Sequence, residues 1–76
     1  MNNSILKAFG MRIKAIRLAR GLSQEQLGLI AELDRTYISG IERGLRNVSL
    51  INLKRLAIAL NIEPAELLKF DEPNNV

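Results

Sequence analysis

The stretch from Leu33 to Gly44 (LDRTYISGIERG) carries unusual side chains for a short surface helix. At helical spacing, its apolar side needs only Leu33, Ile38 and Ile41. The side chains left to face outward are rich in hydrogen-bonding groups: Arg35, Thr36, Tyr37, Ser39 and Arg43. An arginine fork fits guanine O6 and N7, and a threonine methyl fits the thymine methyl. The stretch therefore predicts a surface that faces a nucleic acid.

Composition argues against catalysis and against metal binding. The 76 residues include no histidine and no cysteine, which removes the commonest acid–base catalyst, the commonest metal ligand and any disulfide. We expect neither an enzyme nor a cofactor. The length predicts one domain over residues 1–76, with a core at about 5–70 and a frayed tail at 71–76.

Charge is unevenly distributed along the chain. Five bases and no acid lie between Lys7 and Arg20, whereas four acids and one base lie from Glu63 onward. A polyanion would therefore approach the N-terminal half. The N-terminus lacks the apolar run of a signal peptide, and no apolar stretch approaches the roughly 20 residues that span a bilayer. These features predict a cytoplasmic, nucleoid-associated protein without a membrane partner.

Helical periodicity and punctuation predict a compact all-α fold of five helices. The predicted helices run from about Ser4 to Arg20, from Gln24 to Ala31, from Arg35 to Gly44, from Leu50 to Asn61, and from Pro64 to about Phe70. The last four starts share a hydrophobic staple around a candidate cap, at Ser23, Asp34, Ser49 and Glu63. The fourth helix is expected to bury one side: Leu50, Leu53, Leu56, Ala57 and Leu60.

Only Glu32, Leu33 and Asp34 separate the second and third helices, which is the geometry of a helix-turn-helix. Three segments carry a family resemblance: Gln24-x-x-Leu27-x-x-x-Ala31, Tyr37-Ile38-Ser39-x-Ile41-Glu42-Arg43-Gly44 and Leu53-x-x-Leu56-Ala57-x-Ala59-Leu60. They resemble the XRE/Cro-type, phage-repressor-like regulators over about Phe9 to Leu68. The run LDRTYISGIERGLRNVSL looks most like the controller proteins of restriction–modification systems. The resemblance implies a lambda-repressor-like fold and a sequence-specific, DNA-binding transcriptional regulator of its own operon, either activating or repressing.

The resemblance also implies roles for individual residues. The third helix would enter the major groove, with Arg35, Thr36 and Tyr37 reading bases. Phosphate contacts, which give affinity but not sequence choice, would come from Gln24, Arg17, Ser39, Arg43, Arg46 and Asn47. Arg17 and Glu42 would form a structural ion pair between the first and third helices. Tyr37 could instead support the turn as a partly buried aromatic residue, and Arg46 and Asn47 could serve only the loop.

Three further positions raise questions of backbone geometry. Gly40 costs about 1 kcal/mol inside a helix, which suggests the close approach of DNA or of a neighbouring helix. Gly28 stands where many relatives have alanine, and it would permit tight helix packing. Glu32 stands where relatives commonly have glycine or asparagine, so a positive φ there would cost about 1 kcal/mol.

One recognition helix reads few base pairs, so the resemblance implies a homodimer on a palindromic double-stranded operator. The expected interface is Ile62, Leu67, Leu68 and Phe70, although these residues could instead close the core of the monomer. Leu45 and Ile51 are also apolar at positions expected to be exposed. No small-molecule effector is expected.

Two other functions fit parts of the pattern. An antitoxin-like or phage repressor would use the same DNA mechanism with a different biological partner. A protein-interaction adaptor without DNA binding would carry acidic or apolar groups on the outer side of the third helix. Arg35, Arg43 and Arg46 stand there instead.

Overall fold

The computed structural model describes residues 4–71, and the predictions for the tail beyond Asp71 lie outside these residues. The described chain forms α1 (Ser4–Ala19), α2 (Gln24–Ala31), α3 (Arg35–Glu42) and α4 (Leu50–Leu60), followed by a short 3-10 helix, η1 (Pro64–Leu68). The predicted starts and ends of α2, α3 and α4 agree with these bounds to within two residues. None of these helices is both long and apolar enough to cross a membrane.

Three of the helix starts are fixed by capping side chains, as predicted. Ser23 Oγ accepts a hydrogen bond from the Gln26 amide at 3.0 Å, and Gln26 Oε1 accepts one from the Ser23 amide at 2.8 Å. This capping box satisfies two donors that a helix would otherwise leave unpaired. Asp34 caps α3 through the Thr36 amide at 3.1 Å, and Ser49 caps α4 in the same way. The short helices thus begin at defined residues.

All four α-helices end in the same way, at a residue with left-handed backbone conformation. These residues are Gly21 (φ 71°), Glu32 (φ 60°), Gly44 (φ 76°) and Asn61 (φ 58°). The amide of the next residue then donates back into the last turn, at distances from 2.8 to 3.1 Å. This is the Schellman motif, which satisfies carbonyls at a helix end and reverses the chain. Glu32 therefore does adopt a positive φ, which is the condition under which strain was expected at this position.

The fifth predicted helix is wrong in type and length, because η1 is a 3-10 helix that ends at Leu68 rather than an α-helix that reaches Phe70. Nucleating an α-helix is costly for so short a segment, and 3-10 geometry is common in such pieces. The side chain of Glu63 makes no capping hydrogen bond in the described chain, whereas Pro64 stands at the helix start as predicted. The segment is anchored by Leu67, which is 0% exposed.

The core lies where α1 meets α3 and η1, and where α2 and α4 meet each other. Its fully buried large side chains are Ile13, Leu27, Ile38, Ile41, Leu56, Leu60 and Leu67. The side of α3 that faces the core, with Ile38 and Ile41, is therefore the side that was predicted to be buried. Leu50 was predicted to be buried but is 81% exposed, because the first turn of α4 extends past the core. Leu53, one turn later, is still only partly buried.

Replacing Glu32 with glycine should stabilise the protein, because only glycine adopts this left-handed conformation without strain. We expect the free energy of unfolding to rise by about 1 kcal/mol, measured by urea denaturation followed by circular dichroism. Glu32→Ala is the matched control, since it removes the same side chain but keeps a Cβ. Equal stability of the two variants would contradict the strain at this position.

Candidate nucleic-acid interface

The turn between α2 and α3 is held close to α2 by a glycine. A Cβ at Gly28 would lie only 2.5 Å from the carbonyl oxygen of Leu33. The Leu33 amide donates to the Gly28 carbonyl at 2.8 Å, so the turn folds directly onto the last turn of α2. Gly28 therefore permits close packing, as predicted, but the neighbour is the turn rather than another helix.

A buried ion pair joins α1 to α3. Arg17 Nε donates to Glu42 Oε2 at 2.7 Å, and Arg17 Nη2 donates to Glu42 Oε1 at 2.9 Å. Arg17 is 6% exposed and Glu42 is 8% exposed, so this two-point contact is shielded from water and salt. The hydrogen bond to Glu42 raises the pKa of Arg17 above its ordinary value, against the opposing effect of burial. Arg17 and Glu42 thus form the ion pair between α1 and α3 that was predicted.

The same pair engages the start of α2. Arg17 Nη1 donates to the carbonyl oxygen of Leu22 at 2.8 Å, and Gln24 Nε2 donates to Glu42 Oε1 at 3.1 Å. A shallow depression opens beside this network, and Arg17, Gln24 and Arg35 contribute to its wall. The predicted phosphate contacts of Arg17 and Gln24 would therefore use the N–H groups that remain, and they stay predictions.

The basic run of α1 is less available to a polyanion than its charge suggests. Arg12 Nε donates to the carbonyl oxygen of Glu66 at 2.9 Å, and its Nη2 lies 3.5 Å from a carboxylate oxygen of the same residue. Arg20 Nε donates to the carbonyl oxygen of Leu60 at 2.8 Å. With Arg17 also paired, three of the five bases bind other parts of the fold. The expectation that a polyanion approaches the N-terminal half as a whole is therefore weakened.

One exposed cationic surface lies on α3 and the loop after it. We define the outer face of α3 by five exposed residues: Arg35, Thr36, Arg43, Arg46 and Asn47. Ser39 lies among them but is half-buried. Glu42 is turned inward, and Asp34 uses a carboxylate oxygen to cap the helix. The outer face therefore presents three guanidinium groups without a carboxylate directed at them from α3.

Tyr37 connects this face to α4. Its ring is half-buried against the core, and its hydroxyl oxygen accepts a hydrogen bond from Asn52 Nδ2 at 3.1 Å. Sequence reasoning missed Asn52, although its position offers a signal: it is the one polar residue between Leu50 and Leu53. Both predictions for Tyr37, support of the fold and contact with a ligand, are compatible with this position.

The neighbour that approaches Gly40 is a side chain of the following loop. A Cβ at Gly40 would lie 2.9 Å from Cγ of Arg46 and 3.2 Å from its Nε. Within the described chain, the close approach to this glycine is therefore made by a loop side chain rather than by a neighbouring helix.

The residues predicted for the dimer interface differ in how far the fold buries them. Leu67 was predicted to lie at the interface, but it is fully buried in the monomer, so this prediction is wrong: its side chain fills the space between η1 and the helices. Phe70 is half-buried and packs edge to face on Phe9, with ring centroids 6.4 Å apart. Ile62 is also half-buried, and Leu68 is exposed.

Two short helices joined by a three-residue turn, the second with a cationic outer face, define a helix-turn-helix protein. Residues 13–67 match the helix-turn-helix family, and the chain belongs to it. The chain is similar to control protein C.BamHI of Bacillus amyloliquefaciens, with 46% identity over 99% of this chain and 94% of the relative. It is also similar to control protein C.MunI of a Mycoplasma species, with 46% identity over 86% of this chain and 89% of the relative.

A solved structure gives the same result. The fold matches the crystal structure of the restriction–modification controller protein C.AhdI from Aeromonas hydrophila with a TM-score of 0.81 and 56% identity. The match covers 82% of this chain and 94% of that protein. The resemblance to controller proteins that was seen in the sequence is therefore confirmed.

Removing one member of the ion pair should be far more harmful than removing both. Glu42→Ala leaves the Arg17 charge buried without its partner, which typically costs about 3–5 kcal/mol. That is comparable with the whole stability of a marginal domain, about 5 kcal/mol. We therefore expect the single variant to be largely unfolded by circular dichroism.

The double variant Arg17→Met/Glu42→Leu is the control, because it fills the same space without burying a charge. It should unfold at a clearly higher urea concentration than Glu42→Ala. A double variant no more stable than Glu42→Ala would contradict the explanation that the unpaired Arg17 charge causes the loss of stability.

Proposed function

We propose that this protein is a sequence-specific DNA-binding transcriptional regulator of the controller type, which acts on the restriction–modification operon that contains its own gene. The observation that carries the proposal is the outer face of α3. It leaves three arginines exposed while Glu42, the acid of the same helix, is buried and neutralised by Arg17. C.BamHI and C.MunI are named as control proteins, and C.AhdI as a restriction–modification controller.

Base reading is assigned to the start of α3, because N-terminal residues of a recognition helix reach deepest into the major groove. Arg35 and Thr36 occupy the first two positions of this helix and are exposed. Arg35 can donate two parallel hydrogen bonds to a guanine, and the methyl group of Thr36 can contact a thymine methyl. Neither side chain has to leave a buried site in order to do so.

Tyr37 is suited to act as a donor. Its oxygen already accepts a hydrogen bond from Asn52, whereas a phenol also carries one hydrogen that it can donate. Base acceptors and phosphate oxygens are the partners that such a group would find at a DNA surface. In this arrangement Asn52 orients the hydroxyl, and Tyr37 adds a third contact beside Arg35 and Thr36.

Phosphate contacts are assigned to groups on both sides of the recognition helix. After α3, Arg43, Arg46 and Asn47 are exposed. Before it, the free amides at the start of α2 attract an anion, and Gln24 and Arg17 stand there. Ser39 can donate from its half-buried position. These contacts would fix the position of the protein on the duplex without reading its sequence.

We propose further that two copies bind a palindromic operator as a homodimer, in the cytoplasm on the nucleoid. The outer side of α4 supports this assembly, since Leu50, Ile51 and Ile58 are 81%, 70% and 68% exposed. Large aliphatic side chains grouped on one helix mark an interaction surface. A second copy is the partner assigned to this surface, because one recognition helix reads too few base pairs for an operator. Leu68, Ile62 and Phe70 would lie at its edge.

Base reading by Arg35 can be tested by competition. Arg35→Ala should remove about 1–3 kcal/mol of the preference for operator over random duplex, because a two-point contact to guanine is lost. Mobility-shift titrations with both duplexes measure this preference. Lys14→Ala is the control, since it removes one positive charge from an exposed site on α1. A full preference retained by Arg35→Ala would remove this residue from base readout.

The dimer surface is tested by introducing a charge into it. Ile51→Lys should weaken self-association at least about ten-fold, because burial of an isoleucine side chain contributes about 1.5–3 kcal/mol. Sedimentation velocity over a range of protein concentrations measures the effect. Leu29→Lys is a matched control, as Leu29 is 75% exposed on α2. If Leu29→Lys rather than Ile51→Lys produced monomers, the interface would lie on α2.

A further inference from the structure

Arg46 does not extend freely from its loop, although it is exposed. Its stem lies across α3 at Gly40, where the helix has no side chain. A Cβ at Gly40 would meet Cγ, Nε and Cδ of Arg46 at 2.9, 3.2 and 3.6 Å. Gly40 itself is buried, so the Arg46 side chain covers the bare backbone at this point.

The end of α3 places Arg46 there. The Gly44 amide donates to the Ile41 carbonyl at 3.0 Å, and the Leu45 amide donates to the Gly40 carbonyl at 2.9 Å. This Schellman motif turns the chain back along the helix it has just left. Gly44 also packs against Lys7 of α1, where a Cβ would lie 2.6 Å from the lysine Cγ. The backbone on which Arg46 stands is thus held by α1 and by α3.

We propose that Gly40 is a positioning residue for Arg46. Because Gly40 has no side chain, it leaves a gap on the surface of the recognition helix, and the aliphatic part of the Arg46 side chain fills this gap. The guanidinium is then held beside the outer face of α3, ready for a phosphate oxygen of the DNA backbone. This inference rests on the proposed function, and it adds that the phosphate contact is preorganised by a residue that touches no DNA.

The alternative is that Gly40 serves only the packing of the fold. The two cases differ in what Gly40→Ala should do to DNA binding. Glycine inside a helix is less favourable than alanine. The nearest atom that a Cβ would displace is Cγ of Arg46, which belongs to an exposed side chain and not to the backbone. A change of the Arg46 rotamer can move this atom away, so Gly40→Ala should preserve the fold. If Gly40 positions Arg46, the same substitution should weaken DNA binding, because an arginine side chain that is ordered before binding loses less conformational entropy on binding.

The experiment compares Gly40→Ala, Arg46→Ala and the double variant on operator and random duplexes over a range of salt concentrations. Gly40→Ala should keep the circular-dichroism spectrum and a melting temperature no lower than that of the parent. It should lose affinity several-fold for both duplexes, and its salt slope should fall toward that of Arg46→Ala, by about one phosphate contact. The double variant should bind no more weakly than Arg46→Ala alone, because both changes remove one contact.

Arg43→Ala combined with Gly40→Ala is the matched control. Arg43 is not among the nearest neighbours of a Cβ at Gly40, so the two losses should multiply. A salt slope in Gly40→Ala equal to that of the parent would overturn the inference. A double variant Gly40→Ala/Arg46→Ala whose loss of DNA affinity equals the product of the two single losses would overturn it as well. In either case an operator preference that still depends on Arg35 would leave the proposed function intact. A parent protein that binds neither duplex would overturn both.

Discussion

The ion pair between Arg17 and Glu42 determines how α3 is presented at the protein surface. α3 has only eight residues, too few to persist as an isolated helix in water. Its orientation therefore depends on what holds its inner side, namely Ile38, Ile41 and the two hydrogen bonds between Glu42 and Arg17. Because the pair is buried, neither salt nor a nearby phosphate competes easily for either charge.

The pair also decides the charge of the outer face. A free carboxylate at the end of α3 would repel DNA phosphates, whereas a neutralised one leaves the arginines dominant. The same carboxylate accepts a hydrogen bond from Gln24, so the start of α2 is coupled to the end of α3. One buried contact thereby fixes the relative position of the three helices that meet at the candidate interface.

Much of the fold could be predicted because its helix boundaries depend on interactions between residues that are close in the sequence. Ser23, Asp34 and Ser49 cap the starts of three helices, and Asn61 ends α4 in a left-handed conformation that asparagine tolerates. Such signals involve residues within one turn of each other, so they can be recognised without knowledge of the tertiary structure.

The errors concern features that depend on the whole core. Leu67 and Leu50 are both apolar residues at helical spacing, yet one is fully buried and the other is exposed. Their difference depends on where the core ends, and periodicity contains no such information. The contacts of Tyr37 with Asn52 and of Gly40 with Arg46 join separate elements. The sequence showed that Gly40 was unusual but could not identify its neighbour.

The proposed function requires that the outer face of α3 be left unpacked so that it can contact DNA. Nuclear magnetic resonance titration of the labelled protein with duplex from upstream of its own gene tests this claim most directly. We expect the largest shifts to fall on Arg35, Thr36 and Tyr37 and on the loop through Asn47, while the Arg17 side-chain signal keeps its paired position. Shifts concentrated on the exposed side of α1, with α3 unaffected, would contradict it.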